Sequence, residues 1–587
     1  MPNYTWPEPE KRKVLGKRIS RLDGPDKASG RAKYPSDLNP KDLLFGILLT
    51  CPHAHARIRS IDTSVAEKMK GVTAVRVISK AGTEIQWAGT EVAAVAAISE
   101  PLARDAARAI KVDYEVLPHV VQEHDLSKVG SRAKPSGEQI TGDPEAGFKE
   151  AEVTSEGSYG IPVITHCCLE PHGTVIQWQG DKVSYWPSTQ AVSTVGPDLG
   201  RALEVPAANV RVQMEYMGGG FGSKFPADRW HVEAAHLSKA SGGRPVKLFL
   251  DRATELTIAG VRPSHFANIK IGAKKDGTIT AWQSESWSSG GFAGGGMSPL
   301  PYVMRKIPNY RLNHTAVQLN TGPIRAWRAP NHPQASFLTC SALDDLAAKL
   351  NMDPYDVFYK NVEFTDKPDV YRKQLAKAAE MIEWKKLWHP RGQGSGPIRR
   401  NVGIGIASWA GAGHASKART NIHADGTVEI EIGTQDLGVG TRTIIAMVMA
   451  ESLGLPLSMI RVKLGDNTYP PSGPSGGSTT VGGVCSAARK SSLNALQKLF
   501  EAVGPSLGVP AEQLESIDGR IRVVGNPDKG MSWQQACQKL GVNTISEMGE
   551  NDPKRPEGLN TAGAAGIQMA DVSVDIETGR VRLNKLV

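Results

Sequence analysis

The chain has 587 residues, more than the roughly 250–300 at which one hydrophobic core stops growing, so several domains are expected. It is 40% hydrophobic and 22% charged, an ordinary globular composition; a net charge of +9 with scattered basic residues and 6% aromatics leaves no nucleic-acid stripe. The six cysteines, Cys51, Cys167, Cys168, Cys340, Cys485 and Cys537, form no C-x-x-C pair, which excludes the usual spacing of a zinc ribbon or an iron–sulfur cluster and fits a reducing compartment. The N-terminus carries no apolar leader-like stretch and no run is long enough to cross a bilayer, so the sequence predicts a cytoplasmic protein without a membrane partner.

In chain order, residues 92–98 read as a buried strand, and Pro101 opens a helix with Ala103, Ala106, Ala107 and Ile110 along one face. Residues 111–116 alternate like a strand and Leu117-Pro118 ends it, giving a compact α/β unit over 1–125. The Ser-, Gly- and Pro-rich stretch 126–150 predicts a linker. A second region, 151–390, holds strands at 182–186 and 209–214 and an amphipathic helix at 341–350; 388–399 is a further linker candidate. From 400 to 587 the pattern gives strands at 402–409, 426–433 and 459–464, a helix at 443–453, a Gly/Pro/Ser loop at 466–483 and a long helix ending near Val503. The last residues predict a hairpin, 570–575 and 580–587, whose apolar final strand is an open edge, an unusual end for a stable domain.

The densest motif is Gly218-Gly219-Gly220-Phe221-Gly222-Ser223-Lys224, where four glycines let backbone N–H groups approach a polar ligand. It is not a P-loop, because Ser223 rather than Gly precedes Lys224, and Pro226 forbids a dinucleotide-type helix start. Gly473-Pro474-Ser475-Gly476-Gly477 fits G-x-S-x-G, but Tyr469-Pro470-Pro471 stands where a nucleophile elbow needs a buried strand. His166-Cys167-Cys168 with His172, and His53-x-His55, read as packing residues rather than metal ligands.

These motifs occur in an order that resembles the large subunits of the xanthine oxidase and aldehyde oxidoreductase family. Arg21-Leu22-Asp23-Gly24 through Tyr34, then Pro52-His53-Ala54-His55-Ala56, is similar to its N-terminal hammerhead domain. His166, Glu170-Pro171-His172, Ser188-Thr189-Gln190, the glycine loop, Arg325-Ala326-Trp327-Arg328-Ala329-Pro330, Pro333-Gln334 and 433–440 follow in family order. The resemblance implies an α+β protein: an α/β hammerhead domain (1–125), a linker (126–150), a first molybdopterin-binding domain (151–390) and a second one (400–587), incomplete relative to the family. It implies that Gln190 faces an oxo ligand of molybdenum, and that Gly219, Gly220, Phe221 and Gly222 lie against the pterin and metal. Arg328 would stand near the metal, where it suits developing negative charge. Gly438, Val439 and Gly440 would form a pterin loop, and Ser478, Thr479, Thr480 and Gly482 a polar loop for phosphate and pterin edges. Molybdenum would take no protein ligand. The implied cofactor is molybdopterin with Mo, as a cytosine or guanine dinucleotide; the implied partners are a [2Fe–2S] small subunit and an FAD subunit.

Departures from the pattern narrow the substrate. Phe225 stands where purine hydroxylases carry Glu, and their purine-orienting Arg falls near Gly296, so an aldehyde or an aromatic N-heterocycle is expected rather than xanthine. Val439 replaces a family Gln, Cys340 a common Glu, and Gln435-Asp436-Leu437-Gly438 resembles a bacterial aldehyde-oxidising branch. The family's proton-abstracting Glu, in a Gly-x-Gly-Glu motif, has no counterpart here. Two readings stay open: a hydroxylase subunit, inactive as this chain alone, whose C-terminal piece comes from another chain or is missing from this sequence, or a non-catalytic cofactor- or partner-binding remnant.

Overall fold

Four small residues in the strand Glu91–Ala97, Ala93, Ala94, Ala96 and Ala97, explain how the first half of the molecule is assembled. Their short side chains let a helix pack on each face of the strand. Ala93 and Val95 meet Ala106, Ala107 and Ile110 of the helix Glu100–Ala109, while Ala94 and Ala96 meet Trp230, Ala234 and Ala235 of the helix Arg229–Ala240. In this computed structural model, which describes residues 2–294, 296, 300–555, 557–560 and 563–587, the strand belongs to a seven-stranded sheet. That sheet runs Val210–Val212, Lys182–Pro187, Gly173–Gln179, Val246–Phe249, Leu44–Thr50, Glu91–Ala97, Val72–Val77.

The expected self-contained unit over 1–125 is therefore corrected. Leu44–Thr50 pairs in parallel with Val246–Phe249, Leu44 opposite Val246, so the unit's main sheet continues into the next region. Only the smaller sheet, Glu84–Ile85, Ala56–Asp62 and Lys111–Val116, is its own. The N-terminal residues leave it altogether: Trp6 Nε1 donates to Leu559 O at 2.7 Å, and Val14 N donates to Glu451 Oε2 at 2.7 Å.

The expected linker at 126–150 is also structured. Ala133–Thr141 is the edge strand of a five-stranded sheet, beside Tyr310–Val317, and Pro144–Glu150 is a helix capped by the Asp143 side chain. Almost every residue of that strand is exposed, so its sequence carries no apolar alternation and reads as a linker. By contrast, no helix or strand lies between Leu387 and Ile398, as expected.

The helix expected at 341–350 starts earlier, at His332. It packs with Pro368–Ile382 beneath a three-stranded sheet, Ile398–Trp409, Ala564–Asp575 and Val581–Leu586. Val402, Ile406 and Met569 share a core with Leu338, Leu343 and Leu375, so this sheet is built into the core of the 151–390 region. The remaining residues form a four-stranded sheet, Ile460–Leu464, Val428–Ile432, Ser416–Ile422 and Ile545–Asn551, covered by helices Thr441–Leu453 and Thr480–Leu507. The last strand, Val581–Leu586, is exposed throughout and forms an open edge. Among the described residues no helix is long and apolar enough to cross a membrane.

Candidate functional site

The glycine loop is fixed by what surrounds it. A Cβ on Gly220 would lie 2.4 Å from Gln190 Oε1, and Gly222, at φ +112°, would place one 2.2 Å from Ala326 O. Between them Phe221 takes a positive φ of 54° and turns its ring outward. Gln190, 2% exposed, pins this loop: its Oε1 accepts Gly222 N at 2.7 Å, and its Nε2 donates to Ser475 O at 2.8 Å. An amide nitrogen carries two protons, so one Nε2–H is left over. Gln190 thus joins a loop from the 151–390 region to one from the 400–587 region.

Charge beneath the loop is closely matched. Lys224, 2% exposed, donates from Nζ to Glu170 O at 2.7 Å and to Ser188 Oγ at 2.8 Å, and Glu170 Oε2 in turn accepts Gly218 N at 2.9 Å. Burial lowers the Lys224 ammonium from its ordinary range. His172 Nδ1 donates to Glu255 Oε1 at 2.6 Å, and its Nε2 lies 2.7 Å from the Ser223 hydroxyl, which also bonds Gly220 O at 2.9 Å. Burial, with Lys224 and Arg325 nearby, holds His172 well below the usual imidazole range, so it is neutral. The three groups resemble a hydrolytic triad but are sealed, Ser223 at 0% and His172 at 1% exposure, so they brace the loop. His166 has the same kind of task, its Nε2 bonding Ala326 O at 2.8 Å. His55 is engaged elsewhere, with Glu84.

The arginine segment comes next. Arg325 clamps Asp228 through both nitrogens and donates from Nη1 to Ser223 O at 2.7 Å, tying this segment to the glycine loop. Arg328, Ala329 and Asn331 all have positive φ. Arg328 N donates to Phe221 O at 2.9 Å, and its guanidinium carbon lies 5.4 Å from the Phe221 ring centre. The turn's carbonyls are held from behind by Arg262, which donates from Nη2 to Arg328 O at 2.7 Å and to Trp327 O at 3.0 Å.

Asp436 organises the third loop, accepting Gly438 N at 2.9 Å, Gly440 N at 3.1 Å and Arg442 N at 3.1 Å. Arg21 reaches across to bond the Gly438 carbonyl. In the fourth, Thr479 Oγ1 donates to Gly476 O at 2.7 Å and Thr480 Oγ1 to Ser475 Oγ at 2.9 Å, directly before the helix Thr480–Leu507. Ser475 is buried, and the hydrogen bonds of its hydroxyl run to Gln435 and Thr480, not to a histidine, which removes the nucleophile-elbow reading.

Of the residues singled out in the sequence, Gln190, Gly220, Phe221, Gly222, Arg328, Val439, Ser478 and Thr480 line one cavity of about 1720 Å³. Gly219, Gly438, Gly440, Thr479 and Gly482 are not on that wall; Gly482 instead lets the helix start approach Gly413, whose Cα would be 3.0 Å from an added Cβ. Phe225 and Cys340 do line the cavity. Burial pushes the Cys340 thiol up to about 11, so it is no nucleophile. Arg262, Asp228 and Glu255 were missed, and Gln435 entered only as part of a resemblance; each acts through a partner more than 20 residues away or through carbonyls, and no local spacing marks such pairs.

Four loops, from the glycine motif, the arginine segment, 437–439 and 475–481, converge on one cavity between two α+β regions. Comparison with known proteins sharpens this. Residues 128–362 and 365–587 each match the molybdopterin cofactor-binding domain families, and residues 29–84 match the a/b hammerhead domain of aldehyde oxidase and xanthine dehydrogenase. The chain is 30% identical, over 98% of its length and 81% of the relative's, to the aldehyde oxidoreductase molybdenum-binding subunit PaoC of Escherichia coli K12. It is 25% identical, over 96% and 83%, to the putative xanthine dehydrogenase molybdenum-binding subunit XdhA of the same organism. In fold it superimposes on quinoline 2-oxidoreductase from Pseudomonas putida 86 with a TM-score of 0.82 at 21% identity, covering 98% of this chain and 83% of that one. The chain belongs to the xanthine oxidase family of molybdenum-binding large subunits.

Proposed function

We propose that this chain holds a molybdopterin cofactor in the cavity and acts as the hydroxylase subunit that oxidises an aldehyde, or an N-heterocycle, with water as oxygen source. The observation that carries it is the joining of the glycine loop, Gln190 and Ser475 into one continuous wall by the two hydrogen bonds of a single buried amide. The residues suit an anionic, edge-on group. Gly220 and Gly222 leave no room for a Cβ, the first turn of the helix Thr480–Leu507 lies on the cavity, and Arg328 carries no ion-pair partner among the described residues.

In this reading Gly220, Phe221 and Gly222 hold the metal end, Val439 the pterin, and Ser478 and Thr480 its phosphate side, with a cytosine or guanine dinucleotide form, while Gly219, Gly438, Gly440, Thr479 and Gly482 shape the loops behind that wall. Bound there, the group supplies oxygen insertion and takes up the electron pair removed from the substrate carbon. Gln190 offers its spare Nε2–H and orients. Arg328 stabilises negative charge that develops on the substrate oxygen. The carboxylates on the cavity, Asp344 and Asp345, are both bonded by Arg391, so neither is assigned proton removal. A [2Fe–2S] subunit, an FAD subunit and a cytoplasmic setting complete the proposal. Phe225 on the cavity wall favours an aldehyde over a purine, in line with the aldehyde oxidoreductase relative.

The test is metal and pterin analysis of the purified chain expressed with ample molybdate. About one molybdenum and one pterin per chain are expected. Wild-type chain that is folded but free of both would end the proposal.

A further inference from the structure

Arg262, on the short strand Val261–Arg262, is 6% exposed and lines the cavity. A buried guanidinium normally keeps a carboxylate close, because an uncompensated charge is costly to desolvate. Arg325 obeys this rule with Asp228. Among the described residues Arg262 does not: it forms no ion pair, and neither does the exposed Arg328 beside it. Arg262 directs Nε and Nη2 at the carbonyls of Trp327 and Arg328, at 2.7–3.2 Å, and lies 4.1 Å over the Trp327 ring. Its Nη1 has no protein partner among the described residues. Burial, with Arg328 beside it, pushes its guanidinium down to about 10, so it remains charged at neutral pH. The Arg328 side chain shares this wall, its guanidinium carbon 5.4 Å from the Phe221 ring centre. The cavity's own carboxylates do not compensate, since Asp344 and Asp345 are taken by Arg391, and Tyr159 also donates to Asp345, at 2.6 Å.

We propose that Arg262 and Arg328 form a two-guanidinium seat for the carboxylate of a small apolar acid, whose tail lies against the Phe225, Phe337 and Trp409 side of the cavity. The planar fork of Arg328 matches a carboxylate's two oxygens, to which Arg262 adds the donors of its Nη1, and the aromatic wall selects an apolar tail over a hydrated inorganic anion. The physiological meaning rests on the function proposed above, because a carboxylate is the product class of aldehyde oxidation; the seat would then retain product and make it compete with substrate. The binding chemistry itself needs only this chain. Arg262 has a second, positioning task, since its two carbonyl bonds brace the positive-φ turn that presents Arg328.

The experiment titrates the full chain, purified from cells grown without molybdate, with benzoate, with benzyl alcohol as neutral isostere, and with sulfate at matched ionic strength, by calorimetry. Benzoate is expected to bind one per chain, at least about tenfold more tightly than benzyl alcohol or sulfate, and Arg328→Gln to weaken it by at least about tenfold. Arg328 is exposed to the cavity, so this variant folds; Arg262→Lys, which keeps the charge and loses the fork, is expected to weaken benzoate similarly without changing far-UV circular dichroism. No benzoate binding, equal binding of sulfate, or indifference to Arg328→Gln overturns the seat. Benzoate binding to a chain that never acquires molybdenum would leave the seat standing and remove the function proposed above.

Discussion

Replacing Gly222 by alanine tests whether the glycine loop is held by contact or merely by flexibility. The new Cβ would stand 2.2 Å from Ala326 O and 2.7 Å from Ala326 C, both backbone atoms that cannot swing aside. At φ +112° the alanine also pays conformational strain of about 1–3 kcal/mol. Relief requires the 221–223 backbone to move, and that movement breaks the buried 2.7 Å bond from Gly222 N to Gln190 Oε1, a loss of about 1–3 kcal/mol. The combined loss is therefore about 2–6 kcal/mol. Gly180→Ala is the control: it also has positive φ, +60°, but nothing lies within 4 Å of its Cβ, so it should cost only about 1 kcal/mol. Hydrogen exchange of the 218–224 amides, alongside thermal unfolding, reads the difference. Gly222→Ala should expose these amides and lower cofactor content, whereas Gly180→Ala should leave both alone. Equal effects of the two variants would show that positive φ is the whole constraint and that the packing against Ala326 is irrelevant.

Other consequences are open to direct measurement. Asp228 is 8% exposed and bonded by Arg325, so Asp228→Ala leaves a largely buried guanidinium uncompensated and should cost about 3–5 kcal/mol in chemical unfolding, with Ser223 losing its anchor. His265 is 0% exposed with both ring nitrogens unbonded, and burial lowers it to about 3. The unfolded chain therefore takes up this proton first, below about pH 6.5, so His265 removes about 2 kcal/mol of stability between pH 7 and 5. His265→Phe should flatten that part of the stability profile, and an unchanged slope would contradict the assignment. In a complex reconstituted with its partners, Phe225→Glu should lower kcat/KM for a neutral aromatic aldehyde by about tenfold or more by placing a charge on the cavity wall. Unaltered kcat/KM would remove Phe225 from the substrate's surroundings.

The sequence disclosed those parts of the fold whose patterns are local. The helix Glu100–Ala109, the strand Lys111–Val116 and the helix Thr441–Leu453 bury one face against a core, and their periodicity shows it. Ala133–Thr141 buries neither face and was read as linker, and no periodic signal could have revealed it. Which sheet a strand joins is equally hidden: the alanines of Glu91–Ala97 announce a buried strand, but not that Leu44–Thr50 beside it continues onto Val246–Phe249 some 200 residues away.

The site divides along the same physical line. Glycines 218–222 announce themselves because close backbone approach demands that residue type, and Gln190 and Arg328 enter through a resemblance that places them in order. Arg262, Asp228, Glu255 and Gln435 do their work on carbonyls, an arginine, a histidine and a serine brought near only by folding. These hidden residues join the conspicuous ones into a single object. Ser223 accepts no substrate, yet its hydroxyl reaches His172, its carbonyl takes Arg325, and Arg325 leads through Asp228 to the helix Arg229–Ala240 under the seven-stranded sheet. The loop that faces the cavity is thus anchored in the buried centre of the first cofactor region. A change at Asp228 or His172, neither of which lines the cavity, should therefore alter cofactor retention as strongly as a change on its wall.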